Sequence, residues 1–184
     1  MFKPVSMILT LALLATSLPA LAQDSSAPAG QQWPPQATNQ DPNACWRGAA
    51  QYHGVDLWLL YSIALVESNM NPRQIGRNKN GSLDLGMMQI NTIWLNELGR
   101  YGITSQHLMD GCTSVYVGAW IMSKNFRTYG HTWRAIGAYN SGTPAIGYNY
   151  ARKVYATHHK LTGLPTTYVD LAGAQSLAQA ALKK

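Results

Sequence analysis

Two carboxylates stand out by type and place. The chain has eight acidic residues, and glutamates are almost absent. Glu67 closes the apolar run DLWLLYSIALVESNMNP, residues 56–72. Ile63 and Ala64 lie one helical turn before it and Leu60 two turns before, so these residues share a helix face. Asn71-Pro72 must end the helix shortly afterwards. A carboxyl emerging from an apolar stripe is poorly solvated, which disfavours its charged form and raises its pKa. A carboxylic acid still protonated near neutral pH can deliver a proton to a leaving group. The bland alternative is a helix-end carboxylate paired with Arg73 or Arg77. The second carboxylate, Asp84, follows the tight-turn pair Asn80-Gly81. Ser82 and Asp84 alternate with Leu83 and Leu85, so the two polar side chains share one side of a short extended segment. Read from its place alone, Asp84 is a turn-forming residue that accepts local backbone N–H groups.

The elements that must position these groups are mostly helical. A helix begins at Asp41-Pro42, runs through Cys45, Trp46 and Tyr52, and stops at Gly54. The Glu67 helix follows, then the polar, glycine-bearing stretch from Gly76 to Asn91. Short helices are expected near Thr92–Leu98 and from about Thr113 to Thr128, the latter with Val115, Ala119, Met122 and Phe126 on one face. Thr132 suits a cap for a helix through Ala138-Tyr139-Asn140, ended by Gly142. A last helix carries Tyr150 and Val154 one turn apart. The expected architecture is a mainly α domain with a small β-hairpin or extended excursion. Within it, Gln89 and Asn91 are amides that both donate and accept, suited to hydroxyls and N-acetyl groups or, equally, to satisfying their own turns.

The ends read differently. Residues 1–22 have a positive start at Lys3, a short apolar core and an Ala20-Leu21-Ala22 cleavage site, the pattern of a secretory signal. The core is too short to span a bilayer, so the mature protein is expected in the periplasm without stable membrane insertion. Residues 23–43 read as a disordered linker rich in Gln, Pro, Ala and Ser. Residues 44–160 form the folded domain, of ordinary size. Residues 161–184 form an Ala-rich tail. In an exported domain, Cys45 and Cys112 are expected to pair, contributing roughly 3–5 kcal/mol in the chain-entropy picture. The five histidines are scattered without metal-ligand spacing, and no metal or organic cofactor is expected. The formal charge of +6 suits an anionic partner. There is no Lys/Arg block or nucleic-acid motif, so nucleic acid is set aside.

Four short segments, in order, resemble the signature of the soluble-type (SLT) lytic transglycosylases: Glu67-Ser68, Gly86-Met87-Met88-Gln89-Ile90-Asn91, Ala138-Tyr139-Asn140-Ser141-Gly142, and Tyr150 through Val154. Within that family the chain looks most like the small exported enzymes that accompany secretion, conjugation and pilus systems. The stretch from Glu67 through Asp84 to Asn91 also resembles the catalytic region of C-type lysozymes, in which a Glu acid ends a helix and an Asp lies on the facing strand. The resemblance implies a lysozyme-like α+β fold and cleavage of peptidoglycan between N-acetylmuramic acid and N-acetylglucosamine. It implies Glu67 as the acid, and Ser68 as a residue orienting Glu67 or the acetamido group. It implies Met88, Gln89 and Asn91 at the substrate, Tyr139 and Tyr150 holding acid and sugar through their hydroxyls, and Asn140 bracing the loop. A family enzyme closes a 1,6-anhydro ring on the sugar. A hydrolytic muramidase using Glu67 with Asp84, separated by about 5–5.5 Å in a retaining enzyme, is the second reading. A glycan-binding assembly factor without turnover is the third.

Overall fold

A computed structural model describes residues 43–163. The expected signal, almost all of the expected linker, and the expected tail beyond Gly163 lie outside the described residues, as do Asp41 and Pro42.

Local capping fixes most helix boundaries. Helix α1, Ala44–His53, has Asn43 at its N-cap position and ends on Gly54, whose φ of 63° is the left-handed conformation that glycine adopts without cost. Helix α2, Leu57–Ser68, starts where Asp56 accepts the Leu59 amide at 2.8 Å. It is apolar almost all round, and Leu59, Leu60, Ile63 and Ala64 are completely buried. Such a helix must run through the core. Ser62, a buried polar residue in that stretch, donates to the Trp58 carbonyl at 2.6 Å. Helix α4, Gly111–Tyr129, begins two residues earlier than its apolar spacing suggests, because Asp110 accepts the Thr113 amide at 2.8 Å. Val115, Ala119, Met122 and Phe126 are buried, as their shared face requires. The Cys45–Cys112 disulfide ties α1 to the start of α4 with a Cα separation of 5.4 Å.

Between α2 and α4 lies a three-stranded antiparallel sheet, one strand more than a simple hairpin. Strands β1 (Ile75–Arg77), β2 (Leu83–Leu85) and β3 (Ile90–Asn91) are ordered β1-β2-β3. The register places Gly76 opposite Asp84 and Asp84 opposite Asn91. The expected helix at Thr92–Leu98 divides into a 3-10 turn, Thr92–Trp94, and a single α turn, α3, Leu95–Leu98.

Helices α5 (Trp133–Asn140) and α6 (Pro144–Thr162) complete the domain. Thr132 caps α5 by accepting the Ala135 amide. Helix α5 ends at Ser141, which is extended (φ −153°), one residue before Gly142. The two helices touch backbone to backbone. A Cβ on Gly137 would sit 2.6 Å from the Gly147 carbonyl oxygen, so only glycine permits this approach. No helix of the described residues is long and apolar enough to cross a membrane. The mainly α domain with a small sheet agrees with the sequence expectation.

Candidate active site

A cleft of about 260 Å³ opens between the sheet and helices α2, α4 and α5, lined by Glu67, Asp84, Gln89, Asn91, Trp94, Tyr139 and Asn140 among others. Glu67 reaches it from the last turn of α2. The helix stops there because Asn69 turns left-handed (φ 51°) and its amide caps the Ala64 and Leu65 carbonyls. Tyr150, buried in α6, donates its hydroxyl hydrogen to Glu67 Oε1 at 2.6 Å. The partner of Glu67 is thus a phenol, not Arg73 or Arg77. Burial raises the Glu67 pKa; the Tyr150 hydrogen bond opposes this, the negative charge of Asp84 adds to it, and Lys153 opposes it weakly. The net result is a pKa raised to about 7. With Oε1 engaged, Oε2 is the oxygen left to carry the transferable proton.

Tyr139, from α5, lies parallel to Tyr150, with ring centroids 6.3 Å apart and an 11° interplanar angle. The glycine contact between α5 and α6 makes this stacking possible. The Tyr139 hydroxyl does not go to the acid. It donates to the Met88 carbonyl at 2.9 Å and so pins the β2–β3 loop. Burial pushes both phenols well above their ordinary pKa, with the nearby Glu67 charge adding to the effect, so both remain hydrogen donors.

Asp84 faces the same cleft from β2. Its Oδ1 accepts the Asn91 amide at 2.7 Å and its Oδ2 the Asn78 amide at 2.9 Å. Asn91 also donates to Ser82 at 3.0 Å, and its oxygen accepts the Ile93 amide at 3.0 Å. Its amide is therefore spent largely on holding Asp84 and the following turn. Gln89 adopts a positive φ of 47° and donates to the Gln74 and Gly86 carbonyls at 3.1 and 2.8 Å. Both amides line the cleft and satisfy their own loop.

Two of the expected substrate contacts lie behind the cleft lining. Met88 is fully buried, and its side chain fits against α4 at Gly118, where a Cβ would sit 2.5 Å from Met88 Cε. It contributes its backbone instead: its amide donates to Ser114 at 3.0 Å and its carbonyl receives Tyr139. Ser68 donates to the Met87 carbonyl at 2.7 Å, with a longer contact to Ala64 at 3.3 Å. It joins the end of α2 to the β2–β3 loop and lies outside the cleft lining. Asn140 lies exposed at the rim.

Asn78, in the polar turn before Asp84, joins the cleft lining beyond the expected residues, as do Ile93, Ile121 and the segment Ser141-Gly142. For Asn78 the available signal was its six-residue distance from Asp84 across a tight turn, which brings the two side chains to one sheet face.

A carboxylic acid raised toward neutrality at a helix end, with a second carboxylate lining the same open polar cleft, has the residue types that acid-assisted cleavage of a glycosidic bond requires. Residues 44–161 match the transglycosylase SLT domain, and the chain belongs to that family. Its activity is that of a peptidoglycan lytic transglycosylase. Invasion protein IagB of Salmonella typhimurium (strain LT2) is 43% identical over 125 residues, covering 65% of this chain and 78% of the relative. Protein IpgF of Shigella flexneri is 37% identical over 100 residues, covering 54% of this chain and 66% of the relative. An inactive mutant of the lytic transglycosylase Slt from Pseudomonas aeruginosa superposes with a TM-score of 0.54 at 18% identity, covering 76% of this chain and 28% of that one. At that identity the superposition speaks for the fold.

Proposed function

We propose that Glu67 serves first as acid and then as base in a non-hydrolytic cleavage of the MurNAc-GlcNAc β-1,4 bond. Protonated Glu67 gives its Oε2 proton to the glycosidic oxygen. The bond from that oxygen to C1 of MurNAc breaks, and GlcNAc leaves carrying the proton. Positive charge builds on C1 and the ring oxygen. The Glu67 carboxylate then takes the proton of the C6 hydroxyl of the same MurNAc, and O6 closes on C1. The product is a 1,6-anhydroMurNAc end, and Glu67 is again protonated. An internal hydroxyl has a high effective concentration, which favours it over water.

Tyr150 orients Glu67 and steadies the carboxylate between the two proton transfers. Asp84, held by Asn78 and Asn91, stabilises the positive sugar through its charge. Both of its oxygens are tethered, which supports electrostatic stabilisation over attack. Gln89 and Asn91 present polar edges to the sugar; Asn140 guards the rim. Tyr139, Met88 and Ser68 act one step back by fixing the loop that carries Gln89.

The substrate places the enzyme outside the cytoplasm. The signal pattern of residues 1–22 supports a periplasmic location. The relatives named as invasion proteins support a further reading, in which cleavage opens the wall locally for a secretion, conjugation or pilus apparatus.

The observation that carries the proposal is the Glu67 carboxyl, raised to about 7 and bonded to Tyr150. Digesting purified sacculi and weighing the muropeptides tests it. Anhydro ends, one water lighter than reducing ends, are expected, and their loss in E67Q. Reducing ends would mean a hydrolytic muramidase. Cleavage undiminished in E67Q would remove Glu67 from the chemistry. Deletion of the gene with every secretion, conjugation and pilus phenotype intact would refute the wall-opening role.

A further inference from the structure

One wall of the cleft is held from behind by a charged residue that the chemistry does not use. Trp94 lines the cleft from the 3-10 turn after β3. Its ring meets Trp120 of α4 edge to face, with centroids 5.4 Å apart. Lys124 lies one turn after Trp120 on the same helix face. Its Nζ sits 4.5 Å from the Trp120 ring centroid and 5.1 Å from that of Trp94. The same ammonium donates to both oxygens of Glu97, at 2.7 and 2.8 Å. Glu97 is three residues after Trp94. Two short pairs, Trp94 with Glu97 and Trp120 with Lys124, therefore interlock through one cation.

This arrangement does little for stability. The Lys124 and Glu97 side chains keep 31% and 40% of their exposure, and ion pairs that open to water contribute little. Nor is Lys124 a free receptor for an anion, because Glu97 engages it in bidentate fashion. What the arrangement does fix is ring orientation. A cation over two π-faces holds each ring near one pose, and only one of those rings, Trp94, faces the cleft.

We propose that Lys124 is a positioning residue that, clamped by Glu97, holds the Trp94 wall in the pose that receives a sugar face, and so sets glycan affinity and not the chemical step. The inference rests on the reading of the cleft as a glycan site. A flat indole presented to the apolar face of a pyranose is a recognition element only if it is held still; a loose ring loses rotamer freedom on binding.

The test uses the full exported chain on purified, uncrosslinked glycan strands, comparing K124M, K124R, E97Q, W94A and the double variant K124M/W94A. Expected for K124M is a KM raised about five- to tenfold with kcat within about twofold. K124R, which keeps a cation that can pair and stack, restores most of the affinity. E97Q, which frees the ammonium, gives a smaller rise in KM. The double variant is no worse than W94A alone, since Lys124 acts through Trp94. A wild-type KM in both K124M and E97Q overturns the inference, whatever their thermal stability. So does an additive double variant, or a loss confined to kcat. Should E67Q be inactive while K124M keeps its KM, this inference alone falls. Should the wild-type chain neither bind nor cleave the strands, the glycan-site reading falls and carries this inference with it.

Discussion

Tyr150 and Glu67 stand 83 residues apart in sequence and share one hydrogen, with the phenol donating to Oε1 at 2.6 Å. The bond stabilises the carboxylate and thus works against the burial that raises the Glu67 pKa. In Y150F that opposition is lost, so the Glu67 pKa rises above about 7. The alkaline limb of kcat/KM should move to higher pH. The rate should fall about tenfold, because the acid loses its fixed orientation. A pH–rate profile of Y150F checks both. An unmoved limb would separate Tyr150 from the acid.

Asp84 acts in the opposite sense. Its charge helps to raise the Glu67 pKa. D84N keeps the shape and removes the charge, so the alkaline limb should shift to lower pH. Loss of charge stabilisation should cost about 10- to 1000-fold in kcat. The residual product should still carry anhydro ends, because the internal hydroxyl and Glu67 remain. If Asp84 were the covalent nucleophile, D84N would abolish turnover and a trapped glycosyl-enzyme would be seen in wild type.

Glu67 also links pH to stability. Its folded pKa lies near 7, above the ordinary 4.5. Below pH 4.5 the carboxyl is protonated in both folded and unfolded chains, and its burial costs no charge desolvation. Between 4.5 and 7 the unfolded chain ionises first, so stability falls as pH rises, and above 7 the loss is complete. E67Q should abolish this dependence. Its stability advantage over wild type should be near zero at pH 4, grow through neutrality and level off at about 3 kcal/mol. Denaturant melts of both proteins from pH 4 to 8 measure it. A constant difference across that range would contradict the raised pKa.

Reading the sequence forward worked best where one residue type decides the local outcome. Thr132 and Gly54 mark helix ends by capping chemistry, and each lies at such an end. The raised Glu67 pKa was legible because a buried helical stripe and its last residue are contiguous. That Gln89 and Asn91 line a cleft was legible in the loop from Gly86 to Asn91, but the bonding within the loop was not. Gly86 and Gln89 both take positive φ, which turns the Met88 side chain inward against Gly118. The loop then meets its neighbours through the carbonyls of Met87 and Met88. Backbone partnerships of that kind leave no mark on side-chain type. The glycine contact between α5 and α6 stayed hidden for a related reason: Gly137 matters for the atoms it lacks, and its partner, Gly147, lies on another helix.

The disulfide should carry much of the domain's stability. It spans 67 residues and fastens α1 to α4. A closed loop of that length contributes about 4 kcal/mol in the chain-entropy picture. The double variant C45S/C112S should unfold at correspondingly lower denaturant, while the pH profile of whatever remains folded keeps the wild-type limb. Equal midpoints with and without reductant would contradict this.

The sequence contains two glutamates, Glu67 and Glu97, so carbon-13 labelling of glutamate side-chain carboxyls yields a spectrum simple enough to assign with E67Q alone. A titration followed by NMR then reads the acid directly. The Glu67 carboxyl is expected to titrate with a midpoint near 7 that coincides with the alkaline limb of kcat/KM. A midpoint near the ordinary 4.5, with activity persisting after ionisation, would contradict it.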